Sequence, residues 1–185
     1  MTRIIAGSAG GRRIATPPGQ KTRPTTDRVR EALFSSLESQ LAGWEGIRFL
    51  DVFAGSGAIG LEALSRGAAH ATFIERDRRT GALIRRNAAV VDAGESAVVV
   101  ASAQQALGGL SGPFDAAYVD PPYDYADDGL SAVLAIMVRR DLLVDDAAVV
   151  VERAARCAEP DWPDGIQGVR VKKYGATRLW YGQRR

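Results

Sequence analysis

The sequence predicts an α/β fold: a mostly parallel sheet of seven strands, covered by helices on both faces, with a small hairpin ahead of it. Three features predict it. Apolar runs alternate with stretches of helical period, the runs lack the polar alternation of a one-sided sheet, and a glycine-rich turn follows the first of them. The 185 residues suffice for one domain with a sizeable core and not for two of ordinary size.

Taken in order, residues 3–7 and 12–15 flank Ser8-Ala9-Gly10-Gly11 and read as a short hairpin with a glycine-rich turn. Pro17, Pro18, Gly19 and Pro24 exclude regular structure up to a helix. Thr25, Thr26 or Asp27 caps that helix, and Val29, Leu33, Phe34 and Leu37 recur at its spacing to about Leu41. Buried strands are expected at 47–53, 71–74, 97–100, 114–119 and 147–151, with helices at 58–66, 77–91, 103–110 and 128–140 between them. Residues 169–174 and 178–182 flank Gly175-Ala176 and close the chain as an antiparallel hairpin, which reverses the final strand. Such a layout matches the Rossmann-like methyltransferase fold. Residues 1–24 are expected to form a basic arm and loop, and 25–185 the main domain.

Hydrophobic residues make up 46% of the chain and charged residues 25%, the balance of a folded soluble protein. No apolar run approaches the roughly 20 residues that span a bilayer, and no secretory signal is visible, so a cytoplasmic protein without membrane contact is expected. The single Cys157 excludes an intramolecular disulfide or a cysteine-rich zinc cluster. The lone His70 excludes a histidine metal site or a Ser/His/Asp triad. No metal is therefore expected. The net charge of +2 hides an asymmetry: residues 1–30 hold seven Lys/Arg against one acid, and residues 170–185 hold six and no acid. Basic ends on an acidic middle suggest a polyanionic partner, with Arg3, Arg12, Arg13, Arg23 and Arg28 as candidate contacts.

Leu50-Asp51-Val52-Phe53-Ala54-Gly55-Ser56-Gly57-Ala58-Ile59-Gly60 sits where the first sheet strand turns into its helix, the place where open α/β sheets bind ligands. Gly55 and Gly57 let the backbone approach a ligand, and the helix behind them offers free N–H groups. Glu75 ends the second strand beside Arg76, where a carboxylate can accept from both hydroxyls of a ribose. That suits NAD and S-adenosylmethionine (SAM) equally. Asp51, just before the glycine turn, would repel a pyrophosphate but could face the cationic end of SAM directly or through water. SAM, leaving S-adenosylhomocysteine, is thus the expected cofactor, with Phe53, Ala54, Gly55, Gly57, Glu75, Arg76, Ser102 and Ala103 around it. Many SAM enzymes place an acid after the third strand to read the adenine; this chain offers Ser102 and nearby main chain.

Asp120-Pro121-Pro122-Tyr123, at the end of a buried strand, is the most specific segment. An exocyclic base amine is a poor nucleophile because its lone pair is delocalised into the ring. The Asp120 carboxylate and the Pro121 carbonyl, accepting from its N–H groups, would draw the nitrogen toward tetrahedral geometry and aim the lone pair at a methyl donor. Pro121 and Pro122 stiffen the loop. Tyr123 offers a face on which an extruded base can stack. The methylated cationic nitrogen is acidic enough for an ordinary carboxylate to take its proton. Residues 124–129 are polar, contain glycine, and are candidates for a lid.

These motifs resemble the bacterial 16S ribosomal RNA guanine-N2 methyltransferases of the RsmD type. The resemblance runs through Arg3-Ile4-Ile5-Ala6-Gly7, Gly11-Arg12-Arg13, Arg23-Pro24-Thr25-Thr26-Asp27-Arg28-Val29-Arg30-Glu31, the glycine loop, Asp120-Pro121-Pro122-Tyr123 and the Tyr174-Gly175 turn. It implies a guanine of 16S rRNA as target, in an assembling 30S subunit; a monomer is expected. It also implies that the Pro24–Asp27 turn, with Thr25 and Thr26, lies beside the methionine end of SAM. The residues alone give amino-methyl chemistry and a polyanionic partner, which DNA adenine-N6 and protein glutamine methyltransferases approach as well. A non-catalytic RNA-binding module would explain the basic ends but leave Asp51, Glu75 and Asp120 without purpose.

Overall fold

The computed structural model describes residues 1–18 and 26–185. The chain runs β1 (Thr2–Arg3), β2 (Arg13–Ile14), α1 (Asp27–Leu41), β3 (Arg48–Val52), α2 (Ala58–Arg66), β4 (His70–Glu75), α3 (Arg78–Val91), β5 (Glu95–Val100), α4 (Ala103–Gly109), β6 (Phe114–Val119), α5 (Asp127–Arg139), β7 (Leu143–Ala154), β8 (Ile166–Tyr174) and β9 (Thr177–Arg184). The seven-stranded sheet has the order β5-β4-β3-β6-β7-β9-β8. β3 pairs in parallel with both β4 and β6, so the strand order reverses beside it. β9 alone runs against the others, antiparallel to β7 and β8. β7 is longer than its apolar run suggests at both ends: Leu143 pairs with Phe114 of β6, and β9 pairs with its last residues, out to Ala154 opposite Thr177.

Alternation along the strands divides the core. Phe49, Phe73, Tyr118 and Val150 face α1, α2 and α3, whereas Leu50, Val52, Val119 and Val151 face α4 and α5. Thr26 caps α1, its side chain accepting from the Val29 N–H at 3.4 Å. Gly60 lets α2 lie close on the sheet: a Cβ there would stand 2.4 Å from the Phe73 ring. Among the described residues, no helix is long and apolar enough to cross a membrane.

The N-terminal arm departs from expectation twice. Its ladder is only two residues a side, because Ile5 and Ala6 turn their N–H groups to the Glu62 carboxylate, at 2.7 and 3.0 Å, instead of to the facing strand. And a hairpin this small would be expected to gain little from the packing of the domain, yet Ile4, Ala9 and Ile14 are fully buried in the core beside α1 and α2. Gly7 (φ +80°) presses so closely on α2 that a Cβ would stand 1.8 Å from the Ser65 carbonyl oxygen. Ser65 and Asn87 hold the backbone of Ala9 and Ala15, each at 3.0 Å. Arg12 is engaged here too: its guanidinium donates to the Val90 and Val91 carbonyls at 2.7 and 2.9 Å, capping the end of α3.

Glu62 is fully buried and also accepts from the Arg66 Nε at 2.9 Å. Replacing it by alanine leaves two backbone amides and a guanidinium short of their acceptor. Glu62→Ala is therefore expected to destabilise the protein by about 3 kcal/mol or more and to release residues 1–18 to proteolysis. Urea unfolding and limited proteolysis measure both; wild-type stability would mean that the arm is not held through this carboxylate.

Candidate active site

The parallel strands end at one edge, and there the loops after β3, β4, β5 and β6 enclose a cavity of about 1180 Å³. That exceeds the volume of about 300–1,000 Å³ usual for a single small-molecule ligand and leaves room for a second group. After β3 the backbone turns sharply through Phe53, which adopts φ +65°. The Ala54 N–H then donates to the Ile74 carbonyl at 2.9 Å, and the Gly57 N–H to the Ala54 carbonyl at 2.7 Å. Gly55 (φ +55°) has open space where a Cβ would be, so its backbone faces the cavity bare. Gly57 does not line the cavity; it packs on Ile84 and starts α2. Glu75 is fixed by two backbone amides, Gly55 at 3.0 Å and Asp77 at 2.8 Å.

Phe53, Ala54, Gly55, Glu75, Arg76, Ser102, Ala103 and Thr26 line this cavity together with Asp120, Pro121, Pro122 and Tyr123. Tyr123 is 55% exposed, an open aromatic face at the rim. The Ser102 hydroxyl caps α4, accepting from the Gln105 N–H and donating to its side-chain oxygen at 3.0 Å. Arg3 and Arg13 reach the rim, Arg3 while pairing with Asp27 at 3.0 Å; Arg28 is exposed away from the cavity. Thr25 and Arg23 lie outside the described residues. Residues 124–129 are not a free loop. Asp127 opens α5, Tyr125 packs edge-on against Phe53, and Arg153 donates to the Tyr125 carbonyl and the Asp127 carboxylate.

Asp51 does not line the cavity. It lies below the floor, 2% exposed, and accepts from the Gly60 N–H at 2.9 Å, so it acts on the cavity by its field and not by contact. Register explains its neighbours. Asp51 pairs with Phe73 and Tyr118, and Tyr118 with Val150; two residues further along those strands come Glu75, Asp120 and Glu152 on the same face. Four carboxylates thus stand in a row across β4, β3, β6 and β7. Burial pushes the Asp51 carboxyl up to about 7 against the Gly60 hydrogen bond that lowers it, and the Glu75 charge adds to the rise. Burial, then the charges of Glu152 and Asp51, hold Asp120 well above the usual carboxylate range. Such a row favours a ligand that brings positive charge.

Glu152, Arg153 and Gln104 also line the cavity and had no role in the sequence reading; Tyr125, which entered it only within the lid candidate 124–129, lines it too. For Glu152 a signal was present: it ends the run Val149-Val150-Val151 just as Glu75 ends Phe73-Ile74. Arg153 and Gln104 are placed by tertiary contacts that leave no local pattern.

A family model described as "Conserved hypothetical protein 95" matches residues 2–183. The chain is 39% identical to the "Ribosomal RNA small subunit methyltransferase D" of Escherichia coli K12 over 180 residues, 96% of this chain and 88% of that protein. It is 33% identical to the "Putative rRNA methyltransferase YlbH" of Bacillus subtilis over 179 residues, 95% of each. The solved structure of the "Putative methyltransferase yhhF" of Escherichia coli superposes with a TM-score of 0.86 at 36% identity, covering 98% of this chain and 97% of that one.

The Asp51 titration reaches the stability of the unliganded protein. Below its ordinary value near 3.8 the carboxyl is protonated in both folded and unfolded chains and burial costs no ionisation. As pH rises, the unfolded chain releases the proton first, and the penalty is complete once pH passes about 7. Asn at this position keeps an acceptor for the Gly60 N–H and carries no charge. The unliganded Asp51→Asn protein is therefore expected to melt above wild type at about pH 8, with the gap closing toward about pH 4. Thermal melts across that range check it; a gap independent of pH would place the Asp51 ionisation elsewhere.

Proposed function

Because the chain belongs to the family of the ribosomal RNA small subunit methyltransferase D proteins, we propose that it transfers a methyl group from SAM to the exocyclic N2 of a guanine in 16S rRNA. One observation carries the reading: Asp120-Pro121-Pro122-Tyr123 ends β6 in the same cavity as the bare Gly55 backbone and the Glu75 carboxylate. A cofactor half and a base-activating half share one edge at the switch in strand order.

The residues fit SAM. Glu75, held by two amides, keeps acceptor capacity for ribose hydroxyls, the open space before Gly55 admits a ligand against the main chain, and the carboxylate row suits a sulfonium better than a pyrophosphate. Thr26 lines the cavity and, with Thr25, would hold the methionine end; Ala54, Phe53, Arg76, Ser102 and Ala103 complete the surround. When bound, SAM supplies a methyl group on a cationic sulfur. Asp120 and the Pro121 carbonyl accept from the target amine and orient its lone pair, and Asp120 takes the proton that the nitrogen releases after methylation. Pro121 and Pro122 limit the movement of that carbonyl, and Tyr123 receives the extruded base on its exposed ring. Positive charge in the site favours ionised Asp120, countering the burial that raises it.

The arm of residues 1–24 presents Arg3 and Arg13 at the rim for phosphates; Arg28, exposed in the first turn of α1, and Arg23 would add to the contact. Arg12 contributes through the fold, by holding α3. The substrate is the rRNA of an assembling 30S subunit, modified in the cytoplasm by a monomer. Incubation with labelled SAM and unmethylated 30S particles, naked 16S rRNA or duplex DNA tests this, followed by mass-spectrometric mapping of the methylated base. Label in adenine, or in DNA alone, would overturn it.

Glu75→Ala is expected to weaken SAM binding by about 1.5–3 kcal/mol with the fold intact, as for loss of hydrogen bonds to a charged acceptor; calorimetric titration reads this directly. Asp120→Ala is expected to lower the single-turnover rate at least about a hundredfold while SAM affinity stays within a few fold. A nearly normal rate would remove Asp120 from the activation of the amine.

A further inference from the structure

Glu152 has no role in the transfer as described, yet it occupies a distinctive place. It lies on β7 beside Asp120: Val119 pairs with Val151 in parallel, so the next residue of each strand stands side by side. Its side chain faces the same layer as Tyr118 and Asp120, is 8% exposed and lines the cavity. The buried Tyr118 hydroxyl donates to its Oε2 and fixes the carboxylate from below. The neighbouring Arg153 turns its guanidinium to Tyr125 and Asp127. A second carboxylate is thus held at the target end of the cavity, within the field of the first.

The Watson–Crick edges of the two purines that carry an amine differ beside that amine. Guanine has a donor there, N1–H next to the N2 amine. Adenine has an acceptor, N1 next to the N6 amine. Two adjacent carboxylates match two adjacent donors, whereas a carboxylate set against the adenine N1 lone pair has acceptor facing acceptor. Resting on the guanine-N2 reading above, we propose that Glu152 accepts from N1–H of the target guanine, so that the pair Asp120 and Glu152 selects guanine over adenine. Asp120 then serves the amine that reacts, and Glu152 the donor that identifies the base. Sites built to hydrogen-bond a particular group reject analogues lacking it far more strongly than apolar pockets do, because the buried partner is left unpaired.

The test uses 30S particles reconstituted with 16S rRNA carrying either guanine or 2-aminopurine at the methylated position. 2-Aminopurine keeps the accepting N2 amine and presents a lone pair at N1. The wild-type enzyme is expected to favour guanine by at least about a hundredfold in kcat/KM. Glu152→Gln offers an amide that can donate to N1 while its oxygen still accepts from Tyr118. It is expected to narrow the ratio at least tenfold, losing rate on guanine and gaining on 2-aminopurine, while SAM affinity falls by no more than a few fold. Equal wild-type rates on the two substrates, or a ratio unmoved by Glu152→Gln, would overturn the assignment while leaving guanine methylation standing. Absence of transfer to guanine by wild type would overturn the activity itself and the inference with it. If Glu152→Gln fails to fold, Tyr118→Phe, which removes the hydroxyl that fixes the carboxylate, is expected to lower the same ratio; an unchanged ratio there also overturns the assignment.

Discussion

Everything at the site depends on the common direction of β4, β3, β6 and β7. Parallel strands finish at one edge, so residues far apart in sequence, Asp51, Glu75, Asp120 and Glu152, stand within two residues of each other in register. The reversal of strand order beside β3 keeps helices from covering that edge and opens the crevice. Like charges at such spacing repel, and the main chain restrains them. Gly60, Gly55 and Asp77 each lend an N–H, and Tyr118 lends a hydroxyl. The glycine turn therefore has two duties, to expose backbone to a ligand and to hold the carboxylates that make the site attractive to a cation.

Loops and core are matched around this edge. Gly60 brings α2 down onto Phe73, and Phe53 tolerates a left-handed backbone because its ring is held against Tyr125. Tyr125 is in turn tied to β7 through Arg153. The segment after Asp120-Pro121-Pro122-Tyr123 is thereby anchored to the glycine turn on one side and to the end of β7 on the other. Side chains that would otherwise sit on independent loops share one framework, as preorganised polar sites require.

Much of this was legible in the sequence, and the remainder was hidden for physical reasons. Near-continuous apolar runs at 47–53 and 114–119, alternating with helical stretches, read as doubly covered strands, and the glycines or prolines soon after them mark the functional ends. Glu75 and Asp120 are readable because each sits at such a junction. Asp51 was readable as important but not as submerged, since sequence does not say whether a carboxylate at a turn faces outward or caps the helix behind it. The arm misled because its apolar residues, Ile4, Ala9 and Ile14, are too widely spaced to form a stripe. Their partners lie on α1 and α2, and a charge count treats Arg12 as surface when it is bound to α3. Gln104 and Arg153 belong to contacts across the fold, which no local pattern records, and Tyr125 was visible only as part of a polar segment.

The attachment of the arm also bears on the order in which the molecule can assemble. Ile5 and Ala6 meet Glu62 across 57 and 56 residues, Ala15 meets Asn87 across 72, and Arg12 meets Val91 across 79. The arm can reach α1 early, through Asp27 and Arg30, but these bonds to Glu62, Asn87 and the end of α3 form only once α2 and α3 are in place. β7 likewise waits for β9 before its outer edge is paired. Contacts of such long separation are slow to form and close large loops. The middle of the chain, with the β3-α2-β4-α3 unit and its glycine turn, is the part that can organise first, and the basic rim is fastened to a framework already standing.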